Sequence, residues 1–167
     1  MPNEIGQFEL KGLDQALNRL RQLPVKMQRT ILKKAVRAGA NVIKDAAKKD
    51  WRKVDDPKTP NKIWRFVATR MNSKQGRRAG GVAFSVGIRG GAKKPYKNNA
   101  ENQRKGRVGK KYQVQPSVYY WRFLELGTKK MPARRIFERA FRRELHHASD
   151  VVAKVLNQGI DEAMRKL

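Results

Sequence analysis

The stretch from Tyr119 to Phe141, YYWRFLELGTKKMPARRIFERAF, decides the fold. In its first part Val118, Tyr120, Arg122 and Leu124 alternate with Tyr119, Trp121, Phe123 and Glu125. Large side chains on both faces of an alternating segment predict a strand over about 118–126, partly buried on each side. Gly127 has the conformational freedom to end that strand. Pro132 lacks a backbone N–H and suits the first turn of a helix, where that donor has no partner. Glu125, close to Arg122, is expected to lock the turn through an ion pair. The sequence thus reads as a strand running through a short basic turn into a helix.

Beyond the turn, Ile136, Ala140, Phe141 and Leu145 hold helical spacing, and Val152, Val155, Leu156, Ala163 and Met164 continue it. Helices therefore occupy about 133–166, with Ser149-Asp150 either capping a second helix or lying inside a single long one. His146 and His147 are adjacent, so they project about 100° apart on a helix and do not form the one-face pair that a metal prefers.

Upstream, Ile5, Phe8 and Leu10 alternate with polar residues and allow a short strand or an extended arm. Leu13, Leu17 and Leu20 then have helical spacing, with Asp14 in the first turn and Pro24 as a break. A long helix is predicted over about 25–50. Ile31, Ala35, Val42 and Ala46 form one stripe and Leu32, Val36, Ile43 and Ala47 the next. Lys33, Lys34, Arg37, Lys44, Lys48 and Lys49 lie off the stripe and read as a solvated face. Gly39 within this helix lowers its stability and fits a close-packed neighbour.

A Pro-containing loop, RKVDDPKTPNK, follows Trp51, and its paired Asp55 and Asp56 read as turn formers rather than metal ligands. Strands are predicted over about 63–70, from the alternation of Trp64, Phe66 and Ala68, and over about 81–89, from Val82, Phe84, Val86 and Ile88. The Gly-rich basic turn NSKQGRRAGG separates them, so they pair as a hairpin. The fold class is α+β: a small antiparallel sheet packed by N-terminal and C-terminal helices, in one domain over 1–167, with a long basic loop between strands.

That loop, about 90–116, shows no periodicity. Lys93, Lys94, Lys97, Arg104, Lys105, Arg107, Lys110 and Lys111 are opposed only by Glu101. Loops longer than about 12–15 residues without structure of their own are uncommon and are often functional. Its glycines lack the Gly-Lys-Ser/Thr ending and following helix of a phosphate loop. The segment reads as a flexible basic arm for phosphates or acidic protein, with Tyr96 and Tyr112 available to stack.

Forty Lys and Arg against fourteen Asp and Glu give a formal charge of +26, a self-repulsion that a polyanion or an acidic protein surface would offset. The absence of cysteine removes disulfides, thiolate metal sites and a thiol nucleophile. No apolar run approaches the roughly 18–20 residues that span a bilayer, and the N-terminus lacks the pattern of a secretory signal. Membrane contact is therefore not expected, and neither a cofactor nor a metal is called for. Two histidines and scattered carboxylates show none of the spacings that assemble a hydrolytic or nuclease centre, so no enzymatic activity is expected.

The run YWRFLELGTKKMPARRIFERAF resembles the signature of the tailed-phage neck or tail-completion family, the gene-product-ten-like and lambda gpZ-like head–tail connector proteins. Phe123, Glu125, Gly127, Thr128, Lys130, Met131, Pro132, Ala133, Phe137, Ala140 and Phe141 carry the resemblance. FELKGLDQALNRLRQLPVKMQRTILKKAVRAGANVIKDAAK is similar to the family's opening helices, and NQGIDEAMRKL to its closing one. Arg135 and Arg139 stand where relatives often have proline, which should extend the last helices. VDDPKTPNKIW replaces an Asp-Thr-Gly-Arg-Leu pattern, which leaves the hairpin boundaries open.

The resemblance implies a virion protein at the tail–head junction, assembled in the host cytoplasm. Its partners would be further copies in a homo-oligomeric ring, a hexamer being favoured, then tail-terminator or tail-tube protein and head connector proteins. DNA would lie in the lumen, held without sequence specificity. In that reading Phe123, Glu125, Gly127, Thr128, Met131, Pro132, Phe137 and Phe141 form the subunit interface or core hinge. The arm would contact DNA or an acidic neighbouring ring. The charge alone also fits a sequence-independent nucleic-acid-binding protein, and less well a basic nuclease or toxin.

Overall fold

Leucines at helical spacing open the described chain as α1 (Leu13–Arg21), and α2 (Val25–Val54) follows directly after Pro24. The computed structural model describes residues 13–59, 61–89, 93–113 and 118–166; the Ile5, Phe8 and Leu10 alternation lies outside them. A 3₁₀ turn, Ile63–Phe66, leads into β1 (Val67–Met71), then α3 (Ser73–Arg78) and β2 (Phe84–Ile88). Next come β3 (Lys93–Pro95), α4 (Ala100–Arg104), β4 (Lys111–Gln113), α5 (Trp121–Leu126) and α6 (Ile136–Met164). The fold is α+β, and among the described residues it has two antiparallel two-stranded sheets, β1–β2 and β3–β4, rather than one.

The β1–β2 hairpin forms where alternation predicts it. It is framed by Asn72 N–H donating to Ala83 O at 2.8 Å and Arg89 N–H donating to Phe66 O at 2.7 Å. The first strand begins at Val67, because Ile63–Phe66 coil as a 3₁₀ turn that buries Ile63. The predicted Gly-rich turn contains α3, which Asn72 caps by accepting from the Gln75 N–H at 3.1 Å.

Two further expectations are corrected. Residues 118–126 are not a strand. A turn at 118–120 leads into α5, and the buried or half-buried positions Val118, Trp121 and Glu125 share one helical face. Segment 90–116 is not without structure: its described part, 93–113, holds a β3–β4 ladder with α4 between the strands, pairing Lys94 with Tyr112 and Pro95 with Lys111. The C-terminal region is one helix, so Ser149 and Asp150 lie inside it and Arg139 passes without a break.

The chain divides into two compact units. The first comprises 1–45, 69–86 and 141–167, and the second 46–68 and 87–140. In the first, Ala16, Leu20, Leu23, Ile31, Ala35, Leu156, Ile160 and Ala163 bury a common core drawn from α1, α2 and α6. Two glycines mark close approach of the two long helices there. A Cβ on Gly39 would lie 2.5 Å from Val152 Cγ2 and 2.9 Å from Ala148 O, and one on Gly159 would lie 2.9 Å from Ile31 Cγ2. The helix penalty of glycine, on the order of 1 kcal/mol each, is thus offset by close helix packing, against the Ala148 carbonyl at Gly39 and against the Ile31 side chain at Gly159. At the surface Arg19 pairs with Asp161 at 2.6 Å, an exposed contact worth less than about 1 kcal/mol.

In the second unit Trp51, Ile63, Val67, Val118, Ile136 and Ala140 are buried. The Phe137 ring lies 5.7 Å from that of Trp51 and 6.1 Å from that of Trp121, the latter edge-on. Among the described residues no helix is long and apolar enough to cross a membrane.

Candidate functional site

The family-like stretch folds into a reciprocal clasp between α5 and α6. A helix leaves its first N–H groups and last carbonyls without internal partners. Here Glu125, only 9% exposed, accepts from the Ile136 N–H at 2.8 Å and the Phe137 N–H at 3.0 Å, the first two residues of α6. Its negative charge also stands at the positive end of that helix's dipole. In return, the carbonyls of Leu124 and Glu125 at the end of α5 accept from the Arg134 N–H at 2.8 Å and the Arg135 N–H at 3.2 Å. Glu125 therefore locks the turn through backbone N–H groups, not through the Arg122 ion pair expected from proximity in sequence.

Tight geometry fixes the intervening loop. Thr128 and Met131 bridge, with the Thr128 N–H donating to Met131 O at 2.8 Å and the Met131 N–H to Thr128 O at 3.3 Å. Gly127 has φ 76 and ψ 178, a backbone conformation that is essentially glycine-only. A Cβ there would also meet Ala133 N at 2.7 Å and Met131 O at 2.8 Å. We expect Gly127→Ala to cost roughly 2–4 kcal/mol, read from urea unfolding, because dihedral strain and backbone overlap add.

Pro132 does not occupy the first helical turn, since α6 begins at Ile136. It lies in the exposed loop. Arg135 has φ 47, which a proline ring, locked near −65°, does not reach. The helix starts immediately after this residue and does not extend ahead of it.

Of the predicted contact residues, Glu125 is buried and Phe137 half-buried, so these two are core. Phe123 is 49% exposed, and with it Tyr119 at 56% and Leu126 at 75%. Phe123 and Leu126, three apart, share the outward face of α5, and Tyr119 stands beside them from the turn that leads into it. Tyr119 packs edge-on against Phe123, their ring centroids 6.5 Å apart. Tyr119 and Leu126 were missed from sequence because the strand reading placed them on opposite faces; the 119–123–126 spacing was the signal. Phe141, in the first unit, is exposed as well.

In the basic segment, Lys94, Lys97, Arg104, Lys105, Arg107, Lys110 and Lys111 are all exposed; the side chain of Lys93 lies outside the described residues. Tyr96 and Tyr112 do come together, 4.9 Å apart and tilted by 45°, and the Arg107 guanidinium lies 5.6 Å from the Tyr96 ring centroid. The tyrosines stack on each other across the β3–β4 ladder rather than standing free. Glu101 pairs with Lys105, and the Asn99 side chain caps α4 by accepting from the Asn102 N–H at 2.9 Å.

Among the described residues no group of three His, Asp or Glu stands together as a metal site. His147 faces Glu144 at 3.7 Å on one exposed helix face. Comparison with family models, with curated proteins and with solved structures finds no match to the chain.

Proposed function

We propose that the chain is a structural virion protein of a tailed phage, the protomer of a ring at the head–tail interface that completes the tail and permits head joining. One observation carries the reading. The signature residues that resemble the neck family build a clasp, and beside it Phe123 and Leu126 on a six-residue helix, with Tyr119 from the turn before it, are held out to solvent. Exposed apolar side chains that include tyrosine suit a protein contact, where aromatic anchors carry a large share of the affinity. No reaction is assigned to this surface; its work is binding.

Native mass spectrometry of the protein, alone and with the tail-tube protein of the same genome, tests the proposal. A discrete cyclic oligomer is expected in at least the second condition, with Phe123→Asp reducing it to monomer while the helical circular dichroism is retained. Monomer in both conditions would overturn the ring. The net charge of +26 favours a second reading, a sequence-independent nucleic-acid-binding protein acting as monomer or dimer. That reading gains if duplex DNA binds tightly and no oligomer forms.

A further inference from the structure

The first unit contains an open groove of about 680 Å³ between α2 and the β1–β2 hairpin. Lys33, Lys34 and Arg37 line it from the helix and Arg70 from the strand, all four exposed. No carboxylate lines the groove, and no ion pair among the described residues engages any of the four cations. Asn41 adds a fifth donor. Its Oδ1 accepts from Thr69 Oγ1 at 3.1 Å and from Lys44 Nζ at 3.4 Å, which directs its amide N–H groups away from those partners. A concave surface that offers several donors and no competing carboxylate recognises anions.

We propose that this groove binds the phosphodiester backbone of duplex DNA without reading its sequence. Lysine, arginine and amide donors are the set that contacts phosphates and fixes a duplex in place. Phe84 is the one aromatic residue of the lining and is half-buried, whereas single-strand grooves present a series of aromatic side chains to successive bases. A protein partner would call for charges of both signs at the rim around an apolar centre. The groove instead combines four cations with the small apolar contribution of Ala38 and Met71. The inference rests on the ring reading for the source of the DNA, and on the groove alone for the binding.

Fluorescence anisotropy with a labelled duplex, across a salt series, provides the test. Each phosphate contact contributes about 0.9 to the slope of log affinity against log salt, so the triple variant Lys34→Ala, Arg37→Ala, Arg70→Ala should lose about 2–3 from that slope. Its affinity near 0.1 M salt should fall on the order of 100-fold. A control carrying the same charge change away from both the groove and the basic segment, Lys49→Ala, Lys58→Ala, Lys154→Ala, all exposed, should lose much less. Equal losses in the two variants would mean diffuse attraction by net charge and would overturn the groove. So would groove-dependent binding of poly-glutamate without binding of the duplex, which would assign it to an acidic protein. Oligomeric state measured on the same samples separates failure of the groove from failure of the ring.

Discussion

Glu125→Ala should lower the unfolding free energy by about 2–4 kcal/mol, since it strips both acceptors from the first turn of α6 and leaves the buried Ile136 N–H without a partner. Glu125→Gln keeps the shape and one good acceptor but loses the charge at the helix dipole, and should cost about half as much. Urea unfolding orders the three proteins. Hydrogen exchange locates the effect, with the amides of Ile136 and Phe137 losing protection first. An alanine variant within about 0.5 kcal/mol of the parent would mean that α6 starts independently of α5.

Trp51→Ala should be at least as damaging, at about 3–5 kcal/mol, because it removes a fully buried indole packed beside Phe137. Trp51→Phe provides the informative contrast. The Trp51 Nε1–H is buried without a hydrogen-bond partner among the described residues. The smaller ring gives up apolar contact but also removes that orphaned donor, so the loss should be only about 1 kcal/mol. If the phenylalanine variant were as unstable as the alanine one, the indole N–H would have to be satisfied in solution.

The elements legible in sequence were those with one dominant period. In α1 and α2 the apolar residues recur at three and four, and Leu20, Ile31, Ala35, Ala46 and Ala47 are indeed buried. In β2 the alternation from Phe84 to Ile88 competed with no helical pattern. Residues 118–126 carry a large side chain at almost every position, so both periods fit. The choice is made by partners distant in sequence, with Glu125 reaching Ile136 and Phe137, and Arg134 and Arg135 returning to the end of α5. The order within 93–113 was hidden for another reason. It comes from a tyrosine pair, an asparagine cap and local turns rather than from an apolar stripe. The groove was illegible because only folding brings Arg70 beside Lys33, Lys34 and Arg37.

The core shared by α1, α2 and α6 also governs how the chain is made. Its members lie at positions 16–35 and 156–163, and Arg19 finds Asp161 across a separation of 142 residues. Contacts of that span are slow to form, because a long loop must close before any of them rewards the closure. At about 5–20 residues per second a ribosome needs several seconds to go from one half of this core to the other. Throughout that interval the apolar stripe of α2 is finished but without its partner helix. The nascent chain gains this core only when α6 emerges, so the order of synthesis leaves the α2 stripe waiting for the helix that covers it.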